Sequence, residues 1–412
     1  MERVVITGLG AITPLGNSVQ EFWDGLKEGR NGIGPLTKFD GEAIDVHVAG
    51  EVKGFVAKEV MDRKSAKRMD PFSQYGVAAA LEAVKDSQID LDVTDPERMG
   101  VIVGSGIGGL NAMQDQIIKM HEKGLDRVAP FFVPMAIGNM VAGNISIATG
   151  AKGPNLSIVT ACASGNNSIG EAFRTIKHGY ADVMLAGGAE ASINEIGMSG
   201  FAALNALSTN EDPNAASIPF DKNRHGFVMG EGAGVIVLES LTSALNRNAK
   251  IYGEITGYGA TGDSFHMTAP SPDGSGAARA MKLAMSEAGI TPSDVGYINA
   301  HGTSTPANDV SETEAIKAAF GDDAKNVAVS STKSMTGHLL GGAGAIEAIA
   351  AVKALQEGIM PPTINLTTPD EACDLDYIEN KSREKEIKYA LNNSLGFGGH
   401  NAVTCFKKWE GQ

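Results

Sequence analysis

Cysteine is scarce in this chain: three in 412 residues, Cys162, Cys373 and Cys405, with no CxxC pair. That excludes a disulfide framework and a cysteine-based metal spacing, and points to a reducing compartment. Positive charge is short too, 34 Lys+Arg against 49 Asp+Glu for a net charge of −15, which argues against general nucleic-acid binding. No apolar run reaches membrane length, and no secretory leader pattern precedes Val4. A soluble, cytoplasmic protein that engages neither nucleic acid nor membrane is expected. Glycine, by contrast, is plentiful at 51 residues and falls at the ends of apolar runs. That placement suits the tight turns and close backbone contacts of an α/β enzyme.

Strand-like runs at 3–9, 100–104, 155–160, 182–187 and 233–239 alternate with helical patterns at 18–28, 71–86 and 168–178. Such alternation predicts parallel sheet with crossover helices. The second half then repeats the first. Ala78–Ser87 followed by Met99–Ser105 matches Ala280–Gly289 followed by Val295–His301, and Val4–Ala11 matches Tyr252–Ala260. Two related halves are expected, 1–250 and 251–412, with extra insertions in the first at about 106–150 and 188–232. Their strand ends would meet at a crevice.

Cys162 stands at the centre of Ile158-Val-Thr-Ala-Cys-Ala-Ser-Gly165, between a short strand expected to be buried and a helix marked by Ile169, Ala172, Phe173 and Ile176. A free cysteine is commonly a small core residue. On a strand-to-helix turn, however, the helix N–H groups and dipole favour thiolate, as an exposed nucleophile requires. The second half offers partners in three motifs: His301-Gly-Thr-Ser-Thr-Pro306 leading to Asp309 and Glu312, Ser330-Ser-Thr-Lys333-Ser-Met-Thr-Gly-His338, and Gly396-Phe397-Gly-Gly399. One cysteine with two histidines permits attack on an acyl thioester, main-chain N–H groups holding the oxyanion and neutral imidazoles holding an enolate. Lys333, paired with Asp309 and Glu312, would orient that network, and no metal is required.

Those motifs, T-A-C-A-S-G around Cys162, H-G-T-S-T-P at 301–306, S-S-T-K-S-M-T-G-H at 330–338 and G-F-G-G at 396–399, closely resemble the β-ketoacyl-[acyl-carrier-protein] synthases, in the Cys-His-His branch of the thiolase-like superfamily. The resemblance runs from Val4 to Phe406. It implies a duplicated, five-layered αβαβα fold with two mixed, mainly parallel sheets, a homodimer, no cofactor, and decarboxylative condensation of acyl and malonyl groups carried on acyl-carrier protein. By resemblance Cys162 takes the acyl chain, and its N–H and that of Phe397 form the oxyanion hole. His301 and His338 support decarboxylation, Phe397 gates the site, and Thr303 and Thr305 bind the pantetheine arm. Ile107, Phe132, Val133, Gly197, Phe201 and Leu340 match positions lining the acyl tunnel in the type II enzymes, although each alone also fits ordinary core packing. A monovalent cation near Asn299, Glu347 and Asn393 is allowed.

The basic run Lys64, Lys67 and Arg68, with Arg127, is either a solvated face or the dock for an acidic carrier protein. Asn205 stands where relatives often place a basic residue, and His400 where many have Thr. Gly104-Ser-Gly-Ile-Gly-Gly109 imitates a dinucleotide fingerprint but lacks the second strand ending in an acid. A thiolase would need a second cysteine in the 396–400 motif, and a chalcone-type synthase an Asn in place of His338. A type I-like enzyme and a polyketide ketosynthase share the fold; a chain-length partner subunit would lack Cys162.

Overall fold

The computed structural model describes residues 1–411. Its eleven main strands are β1 Val4–Ile12, β2 Met99–Gly104, β3 Asn155–Leu156, β4 Val183–Glu190, β5 Gly232–Ser240, β6 Gly253–Gly262, β7 Val295–Asn299, β8 Ala328–Ser330, β9 Asp376–Tyr377, β10 Tyr389–Gly396 and β11 His400–Lys408. They hydrogen-bond in the order β9-β8-β7-β10-β11-β6-β1-β5-β4-β2-β3. Read outward from the centre, β1-β5-β4-β2-β3 of the first half is mirrored by β6-β11-β10-β7-β8 of the second, with β9 added at the edge. The two halves of this continuous sheet are joined by Val4–Ile6 of β1 pairing with Gly253–Ile255 of β6. Pairing is parallel among β4, β2 and β3 and among β10, β7, β8 and β9, and antiparallel across the middle.

Five helices set the layers: α1 Pro71–Ser87, α2 Ser164–Lys177, α3 Ser275–Ala288, α4 Pro306–Phe320 and α5 Ala343–Glu357. Asp70 caps α1, its carboxylate accepting from the Phe72 N–H at 3.3 Å, and Pro71 occupies the first turn, where it costs no hydrogen bond. α1 covers β1, β5 and β4 from one side, and α3 covers β6, β11 and β10 from the other. α2 and α5 pack against each other and against strands of both halves. This central pair carries much of the core: Ile169, Phe173 and Ile176 belong with Ile346, Ile349 and Val352 to one buried apolar cluster. Each such side chain contributes roughly 1.5–3 kcal/mol of burial. The result is helix, sheet, helix pair, sheet, helix, as the family resemblance implies and in keeping with the repeat in the sequence.

One local expectation fails. The stretch 155–160 pairs only at Asn155–Leu156, and Leu156 and Val159 are 57% and 60% exposed. β3 is the outermost strand with one edge bare, so its apolar side chains face outward from this chain rather than inward.

Candidate active site

The turn into α2 is sharp. Ala161 has φ +51°, the left-handed region that residues with a Cβ rarely enter. Ser164 braces it, its hydroxyl donating to the Ala161 carbonyl at 2.7 Å and accepting from the Thr160 N–H at 2.9 Å. Gly396 presses from β10, where a Cβ would lie 2.6 Å from the Thr160 oxygen. Cys162 therefore sits at the wall of a cavity of about 370 Å³, together with His301, His338, Phe397, Thr303, Thr305, Phe201 and Leu340. Its sulfur and a ring nitrogen from each histidine all lie within 4.8 Å of one another. The imidazole rings stand edge to face, centroids 5.2 Å apart. Chain spacing offered no metal ligand set, yet the fold brings together a sulfur and two nitrogens that a thiophilic cation could also use.

Each histidine is held through its main chain. The N–H groups of His301 and Gly302 both donate to Glu312 of α4 at 2.8 Å, and Asn393 donates to the same carboxylate at 3.2 Å. His338 does not end a strand directly; it follows the single helical turn Lys333–Thr336 and Gly337. Its N–H donates to the Val228 carbonyl at 2.7 Å and its carbonyl accepts from the Gly230 N–H at 2.9 Å. Phe227 meets its ring edge-on at 5.2 Å.

Burial pushes both imidazoles well below their usual range near 6.5, and the charge of Lys333 adds to the effect. Both rings are neutral at physiological pH. Cys162 departs from expectation. It is 9% exposed, and burial pushes its thiol up to about 12 against the opposing pull of Lys333, with the Glu190 carboxylate adding to the rise. The N–H groups of Phe397 and of Cys162 itself face the sulfur and draw its pKa down, but do not prevail. The resting group is a buried neutral thiol rather than an exposed thiolate, because desolvating the anion outweighs the helix terminus.

The charge network also differs. Lys333 and Glu347 form a buried ion pair, both 1% exposed. Asp309 instead meets Arg224 at 3.3 Å and accepts from the Phe220 N–H at 3.0 Å, while Glu312 serves the His301 backbone. Lys333 is thus not paired with Asp309 or Glu312, and it lies behind the cavity wall rather than on it. A signal was available: Glu347 is the one charged residue before Lys353 in the otherwise apolar α5. Glu190, likewise, ends the buried strand β4 and accepts from the N–H groups of Gly106, Ile107 and Gly341 and from the Ser105 hydroxyl.

Of the tunnel candidates, Phe201 and Leu340 line the cavity and the others do not. Ile107 and Val133 are 37% and 59% exposed, Phe132 is half-buried beside Val133, and Gly197 packs under the Ser192 carbonyl. Ile107 and Val133 thus face outward from this chain, whereas Gly197 is buried away from the cavity. Asn205 lines the cavity with φ +51°, a conformation Asn tolerates better than most side chains. Lys64, Lys67 and Arg68 are exposed around the one-turn helix Arg63–Ala66 and have no acidic partner among the described residues; Arg68 stacks on Phe131 at 4.2 Å. Arg127 is exposed and 3.5 Å from Asp126. The oxygens Asn299 Oδ1, Glu347 Oε2, Asn393 Oδ1 and Ser394 Oγ are buried without hydrogen-bond partners. An all-oxygen set of that kind fits a hard cation.

A duplicated α/β fold that sets a buried cysteine and two neutral histidines at the junction of its halves is that of the thiolase-like condensing enzymes. Family models described as "Beta-ketoacyl synthase, N-terminal domain" and "Beta-ketoacyl synthase, C-terminal domain" match residues 1–244 and 252–367. The chain belongs to the β-ketoacyl synthase family. It is 55% identical over 410 residues to a Synechocystis protein named 3-oxoacyl-[acyl-carrier-protein] synthase 2, covering 99% of each chain. A Staphylococcus aureus protein of the same name is 54% identical over 409 residues, again covering 99% of each. Among solved structures, a β-ketoacyl synthase from Burkholderia phymatum superposes with TM-score 0.92 at 35% identity, covering all of both chains. A type II polyketide ketosynthase solved with its acyl-carrier protein gives TM-score 0.92 at 34% identity, covering 99% of this chain and 100% of its own.

Proposed function

We propose that this cavity performs the condensation step of fatty-acid elongation, joining an acyl chain to malonyl-acyl-carrier protein to give β-ketoacyl-acyl-carrier protein, CO2 and free carrier. The observation that carries the reading is the cysteine sulfur and two neutral ring nitrogens within 4.8 Å in a cavity also lined by Thr303, Thr305 and Phe397. In the first step the Cys162 sulfur bonds to the acyl carbonyl carbon while its proton passes to a neutral imidazole. The carrier's thiol leaves, taking that proton. In the second, the malonyl carboxylate departs as CO2, and the resulting enolate oxygen accepts hydrogen bonds from His301 and His338. The enolate carbon then attacks the acyl-cysteine, whose oxyanion is held by the N–H groups of Cys162 and Phe397. Collapse of that adduct releases the cysteine as thiolate, which takes up one proton from solvent, the proton that the departing CO2 leaves unsupplied.

Lys333, ion-paired with Glu347, adds its charge to the burial that keeps the imidazoles neutral, and Glu312 fixes the His301 loop. Phe397 sits 6.2 Å from Phe201, between centroids, and serves as the gate. Every step is carried by this chain and its carrier-bound substrates, so the reading calls for no organic cofactor. A monovalent cation, where bound, would be held by the oxygens of Asn299, Glu347 and Asn393 and would satisfy those buried groups. Lys64, Lys67, Arg68 and Arg127 form the dock for the acidic carrier. The bare edge of β3, with exposed Leu156 and Val159, is the contact for a second copy of this chain. Identity near 55% to relatives named 3-oxoacyl-[acyl-carrier-protein] synthase 2, against 34% to a type II polyketide ketosynthase, favours fatty-acid over polyketide substrates.

The test is intact mass after mixing with long-chain acyl-carrier protein and then malonyl-carrier protein. An acyl adduct is expected that is absent in Cys162→Ala and is discharged as β-ketoacyl product. A folded protein that takes up no acyl group would refute the reading.

A further inference from the structure

The insertion of the first half ends in a segment, Ser217–Gly230, that reaches across to the second half and grips both histidine-bearing loops. At one end Val228 and Gly230 hold the main chain of His338. At the other, Ile218 N–H donates to the Ser304 hydroxyl at 3.0 Å and Gly226 N–H to the Ser304 carbonyl at 3.1 Å. Ser304 needs such restraint: its φ is +72°, in the left-handed region that costs a serine about 1–2 kcal/mol. Phe220, at φ +68°, is strained as well, and its ring lies against Gly302, where an added Cβ would come within 3.1 Å.

Arg224 is the hub of this segment. Its side chain is 3% exposed, yet the reaction as described leaves this charge without a task. The guanidinium donates to the Pro306 carbonyl at 3.0 Å and, at the limit of hydrogen-bond length, to Thr305 at 3.4 Å; it also donates to its own segment at Asp221 and to the Asp370 carboxylate at 2.6 Å. Its Nε lies 3.3 Å from Asp309. A fully desolvated arginine whose fork of donors is spent on the carbonyls flanking Thr305 fixes that turn far more tightly than one hydrogen bond could.

We propose that Arg224 is a positioning residue for the condensation: through the carbonyls of Thr305 and Pro306 and the carboxylate of Asp309 it holds Thr303, Thr305 and His301 in register with Cys162, so that the malonyl arm is presented at decarboxylation geometry. The inference rests on the functional reading above. It assigns the role to a residue of the first half acting on the loop of the second. Misplacing a reacting group by an ångström costs on the order of a hundredfold in rate.

The experiment compares Arg224→Gln, Arg224→Lys and His301→Ala for two rates, malonyl-carrier decarboxylation and alkylation of Cys162 by iodoacetamide. Arg224→Gln is expected to slow decarboxylation by about tenfold or more and raise KM for malonyl-carrier protein, with Cys162 alkylation unchanged. Arg224→Lys, which keeps the charge but not the fork, should recover only part of the loss. Wild-type decarboxylation in Arg224→Gln, or an equal loss of both rates, overturns the proposal. If Arg224→Gln fails to fold, Asp370→Asn tests it by loosening one partner: a raised KM for malonyl-carrier protein is expected, and an unchanged KM overturns it. His301→Ala separates the two failures. Should it decarboxylate at the wild-type rate, the functional reading falls; should it be inactive while Arg224→Gln is normal, only the positioning role falls.

Discussion

Two neutral imidazoles beside a neutral thiol set the pH behaviour of the site. Burial and Lys333 place the folded pKa of His301 and His338 well below the unfolded 6.5. The active, uncharged rings therefore persist as pH falls through 6.5, and kcat/KM for malonyl decarboxylation should hold its plateau there, its acid limb lying well lower. A limb centred near 6.5 in the pH–rate profile would contradict this. The same shift acts on stability. Below 6.5 the unfolded chain binds protons that the folded histidines refuse, so their contribution to stability is full above 6.5 and falls as pH drops towards the folded values. Cys162 moves in the opposite sense. With its thiol pushed up to about 12, iodoacetamide alkylation should keep accelerating with pH above 9, and a plateau beginning near neutrality would show an activated thiolate instead.

At the scale of elements, the buried pair Lys333–Glu347 ties the one-turn helix before His338 to α5. Glu347→Ala leaves an ammonium buried without a counter-charge, which costs about 3–5 kcal/mol, read as a lowered denaturation midpoint. Lys333→Met combined with Glu347→Leu should restore most of that stability and, because burial is the larger cause of the depressed imidazoles, leave the acid limb of decarboxylation below 6.5. A limb that moved up to 6.5 would mean the Lys333 charge, not burial, keeps the rings neutral. A second site is the crossing of β4, α2 and the 340–342 turn. A Cβ on Gly188 would stand 2.2 Å from the Gly341 carbonyl and 2.9 Å from Gly165 Cα, so Gly188→Ala should cost roughly 1–3 kcal/mol.

These elements also show what the sequence could and could not reveal. The turns bearing Cys162, His301, His338 and Phe397 were legible because tight backbone demands small residues and glycine at fixed local spacing. The partner of Lys333 was not, because Asp309 and Glu312 shared a motif with His301 while Glu347 lay in a helix read for its apolar face. Arg224 was silent for a related reason: it acts across the two halves, and nothing in its own neighbourhood names the carbonyls it holds. The tunnel residues 107, 132 and 133 were placed by resemblance, and their side chains lie outside the cavity that one chain encloses.

For the whole molecule, the duplication explains both the crevice and the remaining bare surface. Internal symmetry seals β1 against β6 at the centre but leaves the outer strand β3 with one open edge, flanked by Ile147 at 79%, Leu156 at 57% and Val159 at 60% exposure. An open edge with apolar neighbours is a standing invitation to pair with another chain, and a second copy offers the same edge under two-fold symmetry. Two chains each carrying −15 repel one another, so the contact must be apolar and should tighten as salt screens that charge. Leu156→Asp with Val159→Asp adds four more negative charges across such a contact and should convert a dimer to a monomer in sedimentation equilibrium. A wild-type protein that sediments as a monomer at micromolar concentration and raised salt would sink the assignment of this edge to self-association.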